Sequence, residues 1–173
     1  MHPAFSVIFF TTLSGMGYGL WFFIACQSLL AGPDHPQKHL FALLLGFVLV
    51  SAGLFSSTMH LGKPLRAWRA FSQWRSSWLS REGVLAMVCF VPASIWIVQI
   101  LLNQDYVKRF HLALAVAVLS IATVICTAMI YASLKPIPAW RHAYVVPVYL
   151  LFALLTGGVL GAVITAMQSG NIS

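Results

Sequence analysis

The sequence predicts an all-α protein, a polytopic bundle of transmembrane helices, and three observations carry that expectation. Hydrophobic residues make up 60% of the 173 residues and charged residues only 8%, whereas a soluble domain carries roughly a quarter charged residues to cover its surface. Five apolar runs reach the length of about 20 residues that crosses a bilayer at about 1.5 Å rise per residue. None of the five has Asp, Glu, Lys or Arg in its middle. With no internal repeat or linker composition, residues 1–173 read as a single domain.

The first run, Phe5 to Leu30, has no Lys or Arg ahead of it, and its "SGMGYG" centre is unlike a cleavage site; it reads as a retained span. The second extends from His39 to Met59, and His60 ends it, with Gly62 and Pro64 supplying a turn. The third covers Val84 to Leu102, the fourth Phe110 to Leu134 and the fifth Tyr144 to Met167. Gly15 with Gly19, and Gly157 with Gly161, form two GxxxG steps that let a helix approach a neighbour closely. Cys26, Cys89 and Cys126 fall inside spans without CxxC spacing, so they read as small apolar packing residues.

Between the second and third spans the residues from Pro64 to about Trp78 predict an interfacial helix, since Pro suits a first helical turn. On a helical wheel Leu65, Trp68, Phe71, Trp74, Trp78 and Leu79 share one half, and Arg66, Arg69, Gln73, Ser76 and Ser77 the other. Such a helix lies in the headgroup plane. Arg75 departs from the pattern by facing the apolar side. Glu82 falls beneath it on the wheel, so the two pair if the helix continues; alternatively Ser80 caps a new helix with Glu82 in its first turn.

The net charge of +7 does not point to nucleic acid, because basic residues in a membrane protein mark the ends of spans. Lys63, Arg66, Arg69, Arg75, Arg81, Lys135 and Arg141 share the side of the N-terminus, against Lys38, Lys108 and Arg109 opposite. Seven against three predicts a cytoplasmic N-terminal side.

The stretch from residue 59 to 82 carries five of the ten Lys and Arg residues and the only Glu of the sequence. His60 is a titratable base at interface depth, Arg66 a permanent cation, and Glu82 a carboxylate. That set suits quinol oxidation, which needs an acceptor for the ring O–H, a counter-charge for an anionic intermediate and a proton path to water.

Here "STMHLGKPLRAWRAF", followed by "SWLSREG", resembles the membrane-anchor subunits of dimethyl sulfoxide reductase and related molybdoenzymes, the DmsC family. The opening "MHPAFSVIFFTTLSGMGYG" is similar to the branch associated with sulfite-oxidising complexes, and "YASLKPIPAW" also fits. The resemblance implies a subunit of the bacterial inner membrane that anchors a molybdopterin catalytic subunit and an iron–sulfur subunit. It further implies exchange of electrons with menaquinone or ubiquinone and no haem in the anchor itself. Carried over residue by residue, it makes His60 and Glu82 the catalytic pair of the quinone site, with Gly62, Arg66 and Trp68 beside them. Family members resemble an eight-helix bundle, and this chain ends shortly after its fifth span.

Other readings remain open on the residues. A haem-binding cytochrome b-type subunit needs two His facing each other. His39 and His60 stand about 31 Å apart along a helix, but His39 and His111 begin two spans on one side. A passive anchor without quinone chemistry differs only in what His60 and Glu82 touch. A channel or transporter calls for charged or unwound elements at mid-membrane, and the spans hold none.

Overall fold

The computed structural model describes residues 5–30, 37–58, 71–103, 106–134, 136–137 and 140–170. They form five helices: α1 Phe5–Leu30, α2 Gln37–Thr58, α3 Trp78–Leu101, α4 Tyr106–Ala132 and α5 Val145–Gly170. All five contain a segment long and apolar enough to cross a membrane, which makes this a multi-pass membrane protein. No strand occurs among the described residues.

α1 is the hub, packed against α2, α4 and α5, while α3 joins the bundle mainly through α4. Successive helices run in opposite directions. The Ser56 hydroxyl near the end of α2 donates to the Ser6 carbonyl near the start of α1 at 2.9 Å, and Gln27 Nε2 meets Thr165 Oγ1 at 3.4 Å near the ends of α1 and α5. The starts of α1, α3 and α5 and the ends of α2 and α4 therefore share one side.

Lipid tails offer no hydrophobic drive for helix association, so close packing and interhelical polar bonds hold the bundle. Gly19 and Gly157 meet where α1 crosses α5. A Cβ on Gly19 would strike the Ala153 carbonyl, and one on Gly157 the backbone between Gly19 and Leu20. The two GxxxG steps thus meet each other across one interface, with Gly161 beneath the Phe23 ring. Against α2 the contact is made by Gly17, Gly46 and Gly53, which face Val50, Trp21 and Ser14. Trp21, fully buried, donates its indole N–H to the Leu43 carbonyl of α2 at 3.0 Å. Edge-to-face contacts with Tyr18, Phe47 and Phe90 join α1, α2 and α3 around it. Cys89 is buried 3.7 Å from the Ser120 hydroxyl of α4, Cys126 is buried and Cys26 partly so, all as free thiols.

The start of α3 differs from expectation. Its cap is Ser77, whose side chain accepts from the Ser80 N–H at 3.4 Å, and not Ser80. The helix begins at Trp78, ahead of the apolar run at Val84, and this places Glu82 inside the span and not at its mouth. Of the expected interfacial helix, the part within the described residues is a single 3₁₀ turn at 71–73 followed by turns to 76. Arg81 ties this segment down, donating from Nε to the Trp74 carbonyl at 3.0 Å and from Nη2 to the Arg75 carbonyl at 2.8 Å. Its guanidinium lies 4.4 Å from the Trp78 ring centre. At its far end α3 stops at Leu101, and Asn103 takes a left-handed conformation at φ 50° that Asn tolerates well.

Candidate functional site

Glu82 is 4% exposed, which is rare for a carboxylate and demands a partner. Among the described residues that partner is Thr127 of α4, 45 residues away in sequence and not Arg75, which is exposed. Thr127 Oγ1 donates to Glu82 Oε1 at 2.6 Å. The same oxygen is 3.1 Å from the Thr123 carbonyl one turn back. A threonine hydroxyl has a single proton, so Thr127 donates either to the carboxyl or to its own helix. In the second state it is free to accept from Glu82. The hydroxyl thus has two hydrogen-bonding positions against a buried carboxyl.

Thr127 also lines a cleft of about 330 Å³ between α1, α4 and α5, on the half of the bundle that holds the start of α3. Tyr18 and Gly15 of α1 and Tyr149 and Phe152 of α5 contribute to its wall. A second hollow of about 630 Å³ adjoins it through Thr11, Val148 and Tyr149, and is bounded by Trp140, His142 and Tyr144 of the α4–α5 connection. Tyr149 stacks on Tyr131 at 5.5 Å, and Trp140 packs edge-on against Tyr131 at 5.3 Å, so aromatic rings frame this mouth. Such rings suit the depth at which headgroups meet hydrocarbon.

Of the residues the sequence singled out, Glu82 stands at this position. His60, Gly62, Arg66 and Trp68 lie outside the described residues. The two His residues of the haem alternative are placed as follows: His39 sits edge-on to Trp96 at 6.4 Å, and His111 is exposed beside Phe110. Among the described residues no three His, Cys, Asp or Glu side chains gather as a metal would require. Sequence reasoning alone does not find Thr127, Tyr18 or Tyr149. A signal exists, since hydroxyls recurring four residues apart at Thr123 and Thr127 within an apolar span mark a face turned to the bundle interior.

Comparison with known proteins covers nearly the entire sequence. A family model described as the DMSO reductase anchor subunit (DmsC) matches residues 1–172. The C component of sulfite dehydrogenase from Allochromatium vinosum is 37% identical over 96% of this chain and 56% of that protein. The C component of anaerobic dimethyl sulfoxide reductase from Escherichia coli is 25% identical over 84% of this chain and 52% of its own length. YnfH, an anaerobic dimethyl sulfoxide reductase chain of the same organism, is 29% identical, over 68% and 42%. The protein therefore spans about half the length of the curated relatives it matches. No solved structure matches it. With the match running through the "HLGKPLRAW" stretch, through Glu82 and through all five spans, this chain belongs to the DMSO reductase anchor subunit family.

Proposed function

We propose that this protein is the quinone-reactive membrane anchor of a bacterial oxidoreductase complex, seated in the cytoplasmic membrane and holding an iron–sulfur subunit and a molybdopterin catalytic subunit. Family membership supports the anchoring role. The observation that carries the quinone reading is Glu82, the one Glu of the sequence, buried at 4% exposure on a hydroxyl partner beside a ring-sized cleft. A carboxyl kept in such a place without an ion pair among the described residues costs stability, and in a membrane span that expense marks function.

A bound quinol supplies two electrons, which leave through the iron–sulfur subunit, and two protons, which the anchor must take. In this reading His60 accepts the first proton at an imidazole nitrogen, and Arg66 provides the fixed positive charge that stabilises the ring oxygen as its proton leaves. Glu82 takes the proton onward through its carboxyl, and Thr127 keeps that carboxyl oriented. Trp68 and Gly62 join this set through the family resemblance of the stretch that holds them. If the complex runs as a dehydrogenase, the same groups deliver protons to the quinone. The basic surplus on the side of the N-terminus makes that side cytoplasmic, and a reporter fused at Gln73 should read as cytoplasmic.

The test uses the assembled complex in membranes. His60→Ala should slow quinone-coupled turnover about 100-fold or more, the scale of losing a general base, and Glu82→Gln should slow the same step. Turnover with a soluble dye that bypasses the anchor should stay near wild type for both. Full quinone-coupled activity in His60→Ala, with undiminished binding of a quinone-analogue inhibitor, would leave only a passive anchor.

A further inference from the structure

We propose that the cleft between α1, α4 and α5 is the port through which a quinone ring enters from the bilayer, and that Thr127 is its polar contact with the Glu82 carboxyl. This rests on the quinone reading above and adds residues and a route to it.

The first argument is access. Phe152 at the rim is 62% exposed and Thr12 and Thr156 are exposed, so the cleft opens on the outer face of these five helices. At its floor stands Thr127, in contact with a carboxyl that is otherwise closed off. The cleft is thus a path among the described residues from the outer face to the hydroxyl that bonds Glu82. Its volume of about 330 Å³ falls at the small end of ligand sites, room for one substituted ring with its tail left outside.

The second argument is chemistry. The hydroxyls of Thr11, Thr12 and Thr156 donate to carbonyls of their own helices at 3.0, 2.7 and 2.7 Å. Each therefore turns lone pairs, and no proton, toward the cleft. Tyr18, whose ring lines the same wall, carries a phenolic oxygen that is buried without a hydrogen-bond partner. Lipid acyl tails have no proton to give the threonine lone pairs, whereas a ligand with hydroxyl groups does. A ring with an oxygen at each end can donate to the threonine lone pairs as quinol, and the threonine-lined wall offers such acceptors within one cleft. In a concerted relay a quinol O–H in the cleft gives its proton to a free lone pair of Thr127 Oγ1 as the Thr127 proton passes to an ionised Glu82 Oε1. This leaves a deprotonated ring oxygen, a neutral threonine and a protonated carboxyl.

The third argument is Gly15. A Cβ at this position would meet nothing nearer than the Ala153 Cβ at 4.0 Å. No neighbouring helix demands a glycine there, yet glycine in a helix is unfavourable by roughly 0.5–1 kcal/mol against alanine. A small residue at this position leaves the cleft open, where a larger side chain would fill it.

The experiment uses the intact complex in phospholipid nanodiscs and a short-chain naphthoquinone bearing a photoreactive azide on the ring. Illumination should label α1, α4 and α5 around Gly15, Thr127 and Tyr149. Gly15→Leu, which fills the cleft, should weaken probe binding by about tenfold or more. Thr127→Val should weaken it about fivefold, the scale of one hydrogen bond, and Thr127→Ser should restore it. Labelling confined to other segments, or wild-type affinity in both Gly15→Leu and Thr127→Val, overturns the port. If those two variants bind normally while His60→Ala and Glu82→Gln lose the probe, the port falls and the quinone reading stands. If the wild-type complex does not bind the probe, both fall. A photoreactive phosphatidylcholine that labels these same residues and is not displaced by the naphthoquinone would make the cleft an acyl-tail seat and also overturn the proposal.

Discussion

One turn of α1 separates Gly19 from Gly15, and across that turn the α1–α5 pair changes from contact to cleft. At Gly19 the two backbones touch, and a Cβ on either Gly19 or Gly157 would overlap the other helix. At Gly15 an added Cβ would come no nearer than 4.0 Å to another helix, at the Ala153 Cβ, and hydroxyl-bearing side chains surround the gap. The difference shows how the same residue type, at the same GxxxG spacing, serves two ends. In the closed layer glycine removes a side chain so that backbones can pack, which is the main attraction available between helices in lipid. In the open layer it removes one so that nothing packs. Thr127 lies where this gap meets α4, and its 2.6 Å bond to Glu82 is set by how α3 packs on α4.

The harshest way to break this arrangement is Gly157→Val. Here the obstacle is backbone, which cannot swing aside as the end of a side chain can, so the cost should lie at the upper end of overpacking, about 3 kcal/mol or more. Denaturant titration in bicelles should show that loss, and membranes should hold less of the complex. A milder change to the closed layer is Trp21→Phe, which keeps the aromatic packing against Phe47 and Phe90 but removes the donor to the Leu43 carbonyl. The same titration should report about 1 kcal/mol, the scale of an interhelical hydrogen bond in membranes. Probe binding at the cleft should be unchanged, because the Trp21 bond faces α2 and not α5.

The five spans are legible because hydropathy over 20 residues is a strong signal, and four of them begin and end within a few residues of the expected places. The third does not. Its first turns carry Trp78, Ser80, Arg81 and Glu82, a polar and aromatic mixture that the apolar run at Val84 does not announce. Ser77, which the helical wheel assigns to the polar face of an interfacial helix, is the cap of α3. That shift turns Glu82 from a residue at a helix mouth into a buried one. Glu82 itself stands out as the only Glu, but its partner does not, since a pairing 45 residues apart is set by how α3 packs on α4. The glycine steps mark α1 and α5 as helices that approach a neighbour closely, without saying that they meet each other and without separating Gly15 from Gly19. They miss the α1–α2 contact, where Gly46 and Gly53 stand seven residues apart and serve Trp21 and Ser14. The roles given to His60, Gly62, Arg66 and Trp68 rest on the family resemblance and the chemistry of the side chains.

The finest test of the comparison is Gly15→Ala, where the two layers predict opposite signs. In the closed layer an added methyl collides, and Gly19→Ala should destabilise by overlap with the Ala153 carbonyl. At Gly15 the methyl would reach only ordinary van der Waals distance from the Ala153 Cβ. It would also remove the conformational freedom that glycine keeps in the unfolded state, a gain of about 0.4–1 kcal/mol where the native backbone is helical and free of strain. Gly15→Ala should therefore raise the midpoint of the bicelle titration slightly while Gly19→Ala lowers it. One methyl takes up little of a cleft of about 330 Å³, so probe affinity should fall by less than in Gly15→Leu. If Gly15→Ala instead destabilised the bundle as Gly19→Ala does, Gly15 would be a packing glycine, α1 and α5 would be in contact along both turns, and no cleft would lead from the outer face to Thr127.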